Sequence, residues 1–125
     1  MRINPISNLQ HSQNFNGGMH VNSRHAQWLI VSNCNARQLE KIKDIFAKQK
    51  SNILYCFIYS YGKGKRLEAR LMCEKYISNF KDSYKQIPIF ESKSGFIKRL
   101  SNRMDMYQKQ LQDAAKKSAE VLKNP

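Results

Sequence analysis

The sequence predicts an α/β chain of the α+β kind: a small open sheet of about three strands packed with two amphipathic helices, plus a long carboxy-terminal helix. Three observations carry this prediction. The run Asn52-Ile-Leu-Tyr-Cys-Phe-Ile-Tyr-Ser-Tyr61 is unbroken in β-branched and aromatic residues and reads as a central strand. Residues 36–50 place Leu39, Ile42, Ile45 and Phe46 on one helical stripe, with Arg37, Lys41, Lys48 and Lys50 largely outside it. From Phe96 onward, Ile97, Leu100, Met104, Tyr107, Leu111, Ala114, Ser118 and Val121 recur at helical spacing. At 125 residues the chain is long enough for one hydrophobic core. It divides into a flexible polar arm over 1–25, a core domain over 26–95 and the long helix over 96–125.

Taken in order, residues 1–25 are rich in Asn and Ser, contain Gly17-Gly18 and carry no acidic residue. Such a segment does not order itself alone. It is an arm, or it gains structure by packing on the body through Ile6, Leu9, Phe15 and Val21. Gln27-Trp-Leu-Ile-Val31 reads as a first strand, with Trp28 as a core anchor. Asn35 followed by Gln38 is a capping box for the helix that runs to Lys50. Along the central strand, alternation sends Ile53, Tyr55, Phe57, Tyr59 and Tyr61 to one face and Leu54, Cys56, Ile58 and Ser60 to the other. The aromatic face is either buried under a helix layer or open for stacking bases.

Gly62-Lys63-Gly64-Lys65-Arg66 breaks the strand, and Leu67, Leu71, Cys73, Tyr76, Ile77, Phe80 and Tyr84 then fit the inner face of a helix from Arg66 to about Tyr84. A strand, a glycine turn and a helix start in succession form a cradle for an anion, because glycine admits close approach and the helix start offers free N–H groups. The alternative is an exposed basic turn. Gln86 to Phe90 is extended, and Pro88 makes it an edge strand or a connector.

Charge narrows the partner class. Lys and Arg number 22 against 9 Asp and Glu, a net charge of +13 spread along the chain. A uniformly basic small domain meets a polyanion, nucleic acid first. Expected phosphate contacts are Gly62, Lys63, Gly64, Lys65, Arg66 and Arg70, assisted by Arg37 and Lys41, with Tyr59 or Tyr61 stacking. No cofactor is indicated. Cys34, Cys56 and Cys73 form no C-x-x-C pair and read as free thiols of a reducing compartment. His11, His20 and His25 make no ligand pair and read as solvated or capping residues, so neither a metal site nor a catalytic residue is assigned. No apolar run reaches membrane-spanning length.

The polar arm with Asn8-Leu9 and Phe15-Asn-Gly17, the helix Leu39-Glu-Lys-Ile-Lys-Asp-Ile-Phe46 and the strand Ile53-Leu-Tyr-Cys-Phe-Ile58 resemble the front part of the replication-initiation proteins of filamentous phages. The resemblance covers Asn8 to Tyr61, with an extension toward Phe80. It implies an open sheet flanked by helices, DNA binding at an origin, and nicking by a tyrosine with a metal on a histidine pair. This strand lacks the Arg and Asp usual near its end and no histidine pair follows it, so the resemblance implies DNA binding without nicking. A different class is also open. The acid-free amino terminus is similar to the secretion signals of type III effectors, with the carboxy-terminal helix then serving self-association or a partner protein. The first reading places the protein in the cytoplasm and the second in a host cell.

Overall fold

The computed structural model describes residues 17–73 and 80–123. The element order is β1 (Gly18–Val21), α1 (Arg24–Asn33), α2 (Ala36–Gln49), β2 (Tyr55–Tyr61), β3 (Arg66–Cys73), β4 (Phe80–Lys85) and α3 (Lys93–Lys123). The strands form an open mixed sheet in the order β1-β2-β3-β4. β1 and β2 are parallel, and the other neighbours are antiparallel. A parallel pair needs a crossover, which α1 and α2 supply. The fold is α+β, with one strand more than expected.

β1 begins inside the segment read as a flexible arm, so that arm does not extend to residue 25. Gly17 explains why a polar stretch docks here. A Cβ at that position would lie 2.1 Å from the Asn52 carbonyl oxygen and 2.2 Å from that of Leu54. Only a glycine passes so close. Gly18 N–H then donates to Leu54 O at 2.8 Å, and Met19 and Val21 are buried. Of the proposed anchors, Val21 is buried in β1, and Ile6, Leu9 and Phe15 lie outside the described residues.

The expected first strand is instead the helix α1. Ser23 caps it, its hydroxyl accepting from Ala26 N–H at 3.0 Å. Ala26, Leu29 and Ile30 face the core, which is a helical spacing, while Trp28 is 58% exposed and anchors nothing in the core. α2 forms as expected, with both hydrogen bonds of the Asn35–Gln38 capping box at 2.8 and 2.9 Å. Ile42 and Phe46 are buried, and Leu39 and Ile45 pack against them.

The helix expected from Arg66 to Tyr84 is absent. Residues 66–73 form β3 and residues 80–85 form β4. Leu67, Ala69, Leu71 and Cys73 are buried and alternate with Arg66, Glu68, Arg70 and Met72 on the other face. Tyr76 and Ile77 lie outside the described residues. Residues 86–92 connect β4 to α3.

All three helices cover one face of the sheet, because Met19, Val21, Cys56, Ile58, Leu67, Ala69, Leu71 and Cys73 share a single core with side chains from α1, α2 and α3. α3 is 31 residues long, about 46 Å at ~1.5 Å per residue. Phe96, Ile97, Leu100, Ser101 and Met104 in its first half are buried, whereas Val121 and Leu122 are exposed. A polar joint fixes the docked half. Gln49 Nε2 donates to Ser101 Oγ at 2.7 Å and Asp105 Oδ1 at 3.0 Å, while Gln49 Oε1 accepts from Asn52 Nδ2 at 2.8 Å. Among the described residues, no helix is long and apolar enough to cross a membrane.

Candidate nucleic-acid interface

Because every helix packs on one side, the opposite face of the sheet carries the alternate residues of each strand. Tyr55, Phe57, Tyr59 and Tyr61 of β2 are half-buried there, and among the described residues no helix covers the aromatic row. Phe57 stacks between Tyr55, at 6.0 Å between ring centroids, and His20 of β1, at 5.8 Å. His20 is buried within β1, contrary to its reading as a solvated or capping residue, and burial lowers its pKa. The Tyr59 hydroxyl accepts from Asn22 Nδ2 at 3.2 Å.

Register sets cations beside these rings. Arg66 pairs with Tyr61 and Arg70 with Phe57 across β2 and β3, and Lys85 pairs with Glu68 across β3 and β4. Lys81 shares that face on β4. The Tyr61 ring has the Lys85 ammonium 5.1 Å from its centroid and the Arg66 guanidinium at 6.0 Å. Among the described residues the ion pairs are Lys48–Asp105 and Arg99–Glu91, so none of these cations is neutralised by a carboxylate. Glu68 is the one carboxylate on this face among the described residues.

The turn at residues 62–65 is a hairpin connection, and it does not open a helix. Lys63 and Gly64 have φ of 58° and 75°, as primed hairpin turns require, and Lys65 N–H donates to Gly62 O at 3.3 Å. The expected cradle of helical N–H groups is therefore not formed. Lys63 and Lys65 remain exposed at the tip, with Arg66 half-buried beside them. Two contacts orient the tip: His25 Nε2 of α1 meets the Gly64 carbonyl, and Lys93 Nζ of α3 donates to Lys65 O at 3.0 Å. A Cβ at Gly64 would lie 2.5 Å from His25 Nε2, so a side chain there would push the imidazole aside as well as strain the backbone.

Of the residues expected to bind phosphate, Lys63, Lys65, Arg66 and Arg70 share the hairpin and the open face with Tyr59 and Tyr61. Gly62 and Gly64 shape the turn. Arg37 and Lys41 do not join them, because both sit on α2, in the layer on the sheet's other side. Lys81 and Lys85 were missed. Their stretch reads as helix, and only the β3–β4 pairing brings them beside Tyr61 and Met72. Among the described residues, no group of three His, Cys, Asp or Glu side chains could hold a metal ion. Cys56 and Cys73 are buried free thiols, and burial raises the Cys56 pKa. Comparison of the chain with protein-family models, curated proteins and solved structures finds no match.

Proposed function

We propose that this chain binds single-stranded nucleic acid across the open face of its sheet. The observation that carries the reading is the Tyr61 ring flanked by Arg66 and Lys85, at the end of an aromatic row whose cations no carboxylate of the described residues pairs with. Bases freed from a duplex expose flat faces that stack on such rings, whereas paired bases do not. Tyr59 and Tyr61 take the bases, and Lys63, Lys65, Arg66, Arg70 and Lys85 take the phosphates. The reading keeps the DNA-binding half of the resemblance to phage replication initiators. Nicking is not part of it.

Anisotropy titrations with a single strand and a duplex of the same length over a salt series test the proposal. Single-strand affinity falls with a log–log slope of about −3.5 for five neutralised phosphates. The Lys63→Ala/Lys65→Ala/Arg66→Ala variant flattens that slope. Duplex binding as tight as single-strand binding, or undiminished binding by the triple variant, overturns the reading.

A second reading rests on α3, whose Val121 and Leu122 are 67% and 83% exposed. In it, the far half of this helix docks a second copy or a partner protein. Sedimentation of the full chain and of a Val121→Glu/Leu122→Glu variant distinguishes the two. A mass that is monomeric and unchanged removes self-association.

A further inference from the structure

The turn after β4 holds large apolar side chains in water. Ile89 is 97% exposed and Phe90 87%. The residues around them are pinned. Buried Gln86 accepts Leu67 N–H through Oε1 at 3.0 Å and donates through Nε2 to the Glu91 carbonyl at 2.8 Å. The Glu91 carboxylate accepts Ile87 N–H at 2.9 Å and grips the Arg99 guanidinium at 2.8 and 3.0 Å. Ile89 has φ of 71°, a left-handed conformation that a β-branched residue rarely adopts. Backbone bonds from Phe90 N–H to Pro88 O at 2.7 Å and Glu91 N–H to Ile87 O at 3.2 Å hold the turn closed with Ile89 and Phe90 outward. Such a feature marks a contact surface.

Its position identifies the contact. Lys85, which lies over Tyr61, comes two residues before Ile87, and Gln86 N–H donates to Leu67 O at 2.9 Å. The turn therefore stands at the same end of the sheet as the hairpin with Lys63 and Lys65. A strand stacked along Tyr59 and Tyr61 would run to this end of the sheet, where the turn with Ile89 and Phe90 stands. Lys63, Lys65, Lys85 and Lys93 at this end of the sheet complement a polyanion.

We infer that residues 87–90 form a wedge that packs on the last base pair where a duplex opens into the strand held on the sheet. This inference rests on the single-strand reading above. The preferred ligand is a junction between single strand and duplex. The exposed face of a terminal base pair is flat and apolar, and apolar side chains placed against base steps are an established way of engaging nucleic acid.

The test uses the full chain and three fluorescent probes: a single strand, the same strand continued into a hairpin stem, and a blunt duplex. The junction binds about tenfold more tightly than the single strand, the effect of stacking one ring on one base. Ile89→Ser/Phe90→Ser removes that preference and leaves single-strand affinity unchanged. A 2-aminopurine in the closing pair brightens with the wild-type chain and not with the variant. Equal affinity for junction and single strand, or a preference that survives in the variant, overturns the wedge and leaves the single-strand reading standing. A wild-type chain that binds neither the single strand nor the junction overturns both. Should the tip serve a lipid surface instead, phosphatidylserine vesicles sediment the wild-type chain but not the variant, and the junction preference is absent.

Discussion

The Lys85 ammonium lies 5.1 Å from the centroid of the Tyr61 ring, spanning β3 from the edge strand to β2. A base that stacks on this tyrosine displaces the ammonium from the ring and leaves its charge for the neighbouring phosphate. Tyr61→Ala weakens single-strand binding about tenfold, as loss of one stacking platform does. Lys85→Ala reduces the salt slope by about 0.7 instead. Arg37→Ala and Lys41→Ala, on the helical side of the sheet, leave both quantities unchanged. Anisotropy at several salt concentrations separates the three effects.

The hairpin makes a prediction opposite to that of a helix start. Gly64→Ala destabilises the chain by more than about 1 kcal/mol, since its φ is 75° and a Cβ there meets His25. At a helix start the same change would be neutral or stabilising. Urea unfolding gives the sign directly.

Lys63 sits in the same turn at φ 58°. Lys63→Gly relieves the left-handed strain and raises stability by about 0.5–1 kcal/mol. It also removes a phosphate contact and weakens binding. Stability and affinity therefore move in opposite directions, which a urea curve and a titration on one sample establish.

Gln49→Leu costs about 2–3 kcal/mol, because the buried Asn52 amide loses its acceptor and Ser101 its donor. Urea unfolding measures the loss, while single-strand affinity per folded molecule stays the same. A cost below about 0.5 kcal/mol would mean that the joint is a bystander to the docking of α3.

Acid lowers stability through His20. Burial holds this imidazole below its ordinary value of 6.5, against a smaller opposing effect of the Gly17 backbone. The folded chain therefore binds fewer protons than the unfolded chain, and stability rises with pH through this window. Between pH 7.5 and pH 5 the melting temperature falls, and in His20→Phe the fall is smaller. A wild-type midpoint that does not move over this range refutes the assignment.

The sequence disclosed α2 in full, because a local cap and a clean helical stripe agree there. It disclosed β2 and the docking half of α3 on the same grounds. Two other segments misled in opposite directions. Trp28-Leu-Ile-Val31 has strand propensity, yet Ala26, Leu29 and Ile30 are spaced as a helix and Ser23 stands at the cap. Residues 66–73 are mostly good helix formers, yet their apolar residues alternate by two, and pairing with β2 decides the outcome. These two errors nearly cancelled, which is why the class came out right while individual elements did not. At the site, Tyr59, Tyr61, Lys63, Lys65, Arg66 and Arg70 were legible because they are close in the chain. Lys85 was not, since only the pairing of β4 with β3 brings it beside Tyr61.

The short strand β1 has a consequence beyond the fold. It occupies the outer side of β2 over the register from Gly18 with Tyr55 to Val21 with Ile58. A cut or deletion that strips this segment would expose a row of peptide groups on an apolar, aromatic strand, and such a rim recruits copies of itself. The glycine pair at residues 17–18 thus does more than complete the sheet. By seating β1 it replaces the seven-residue rim of β2 with one of four residues, and a shorter rim offers neighbouring molecules less to pair with.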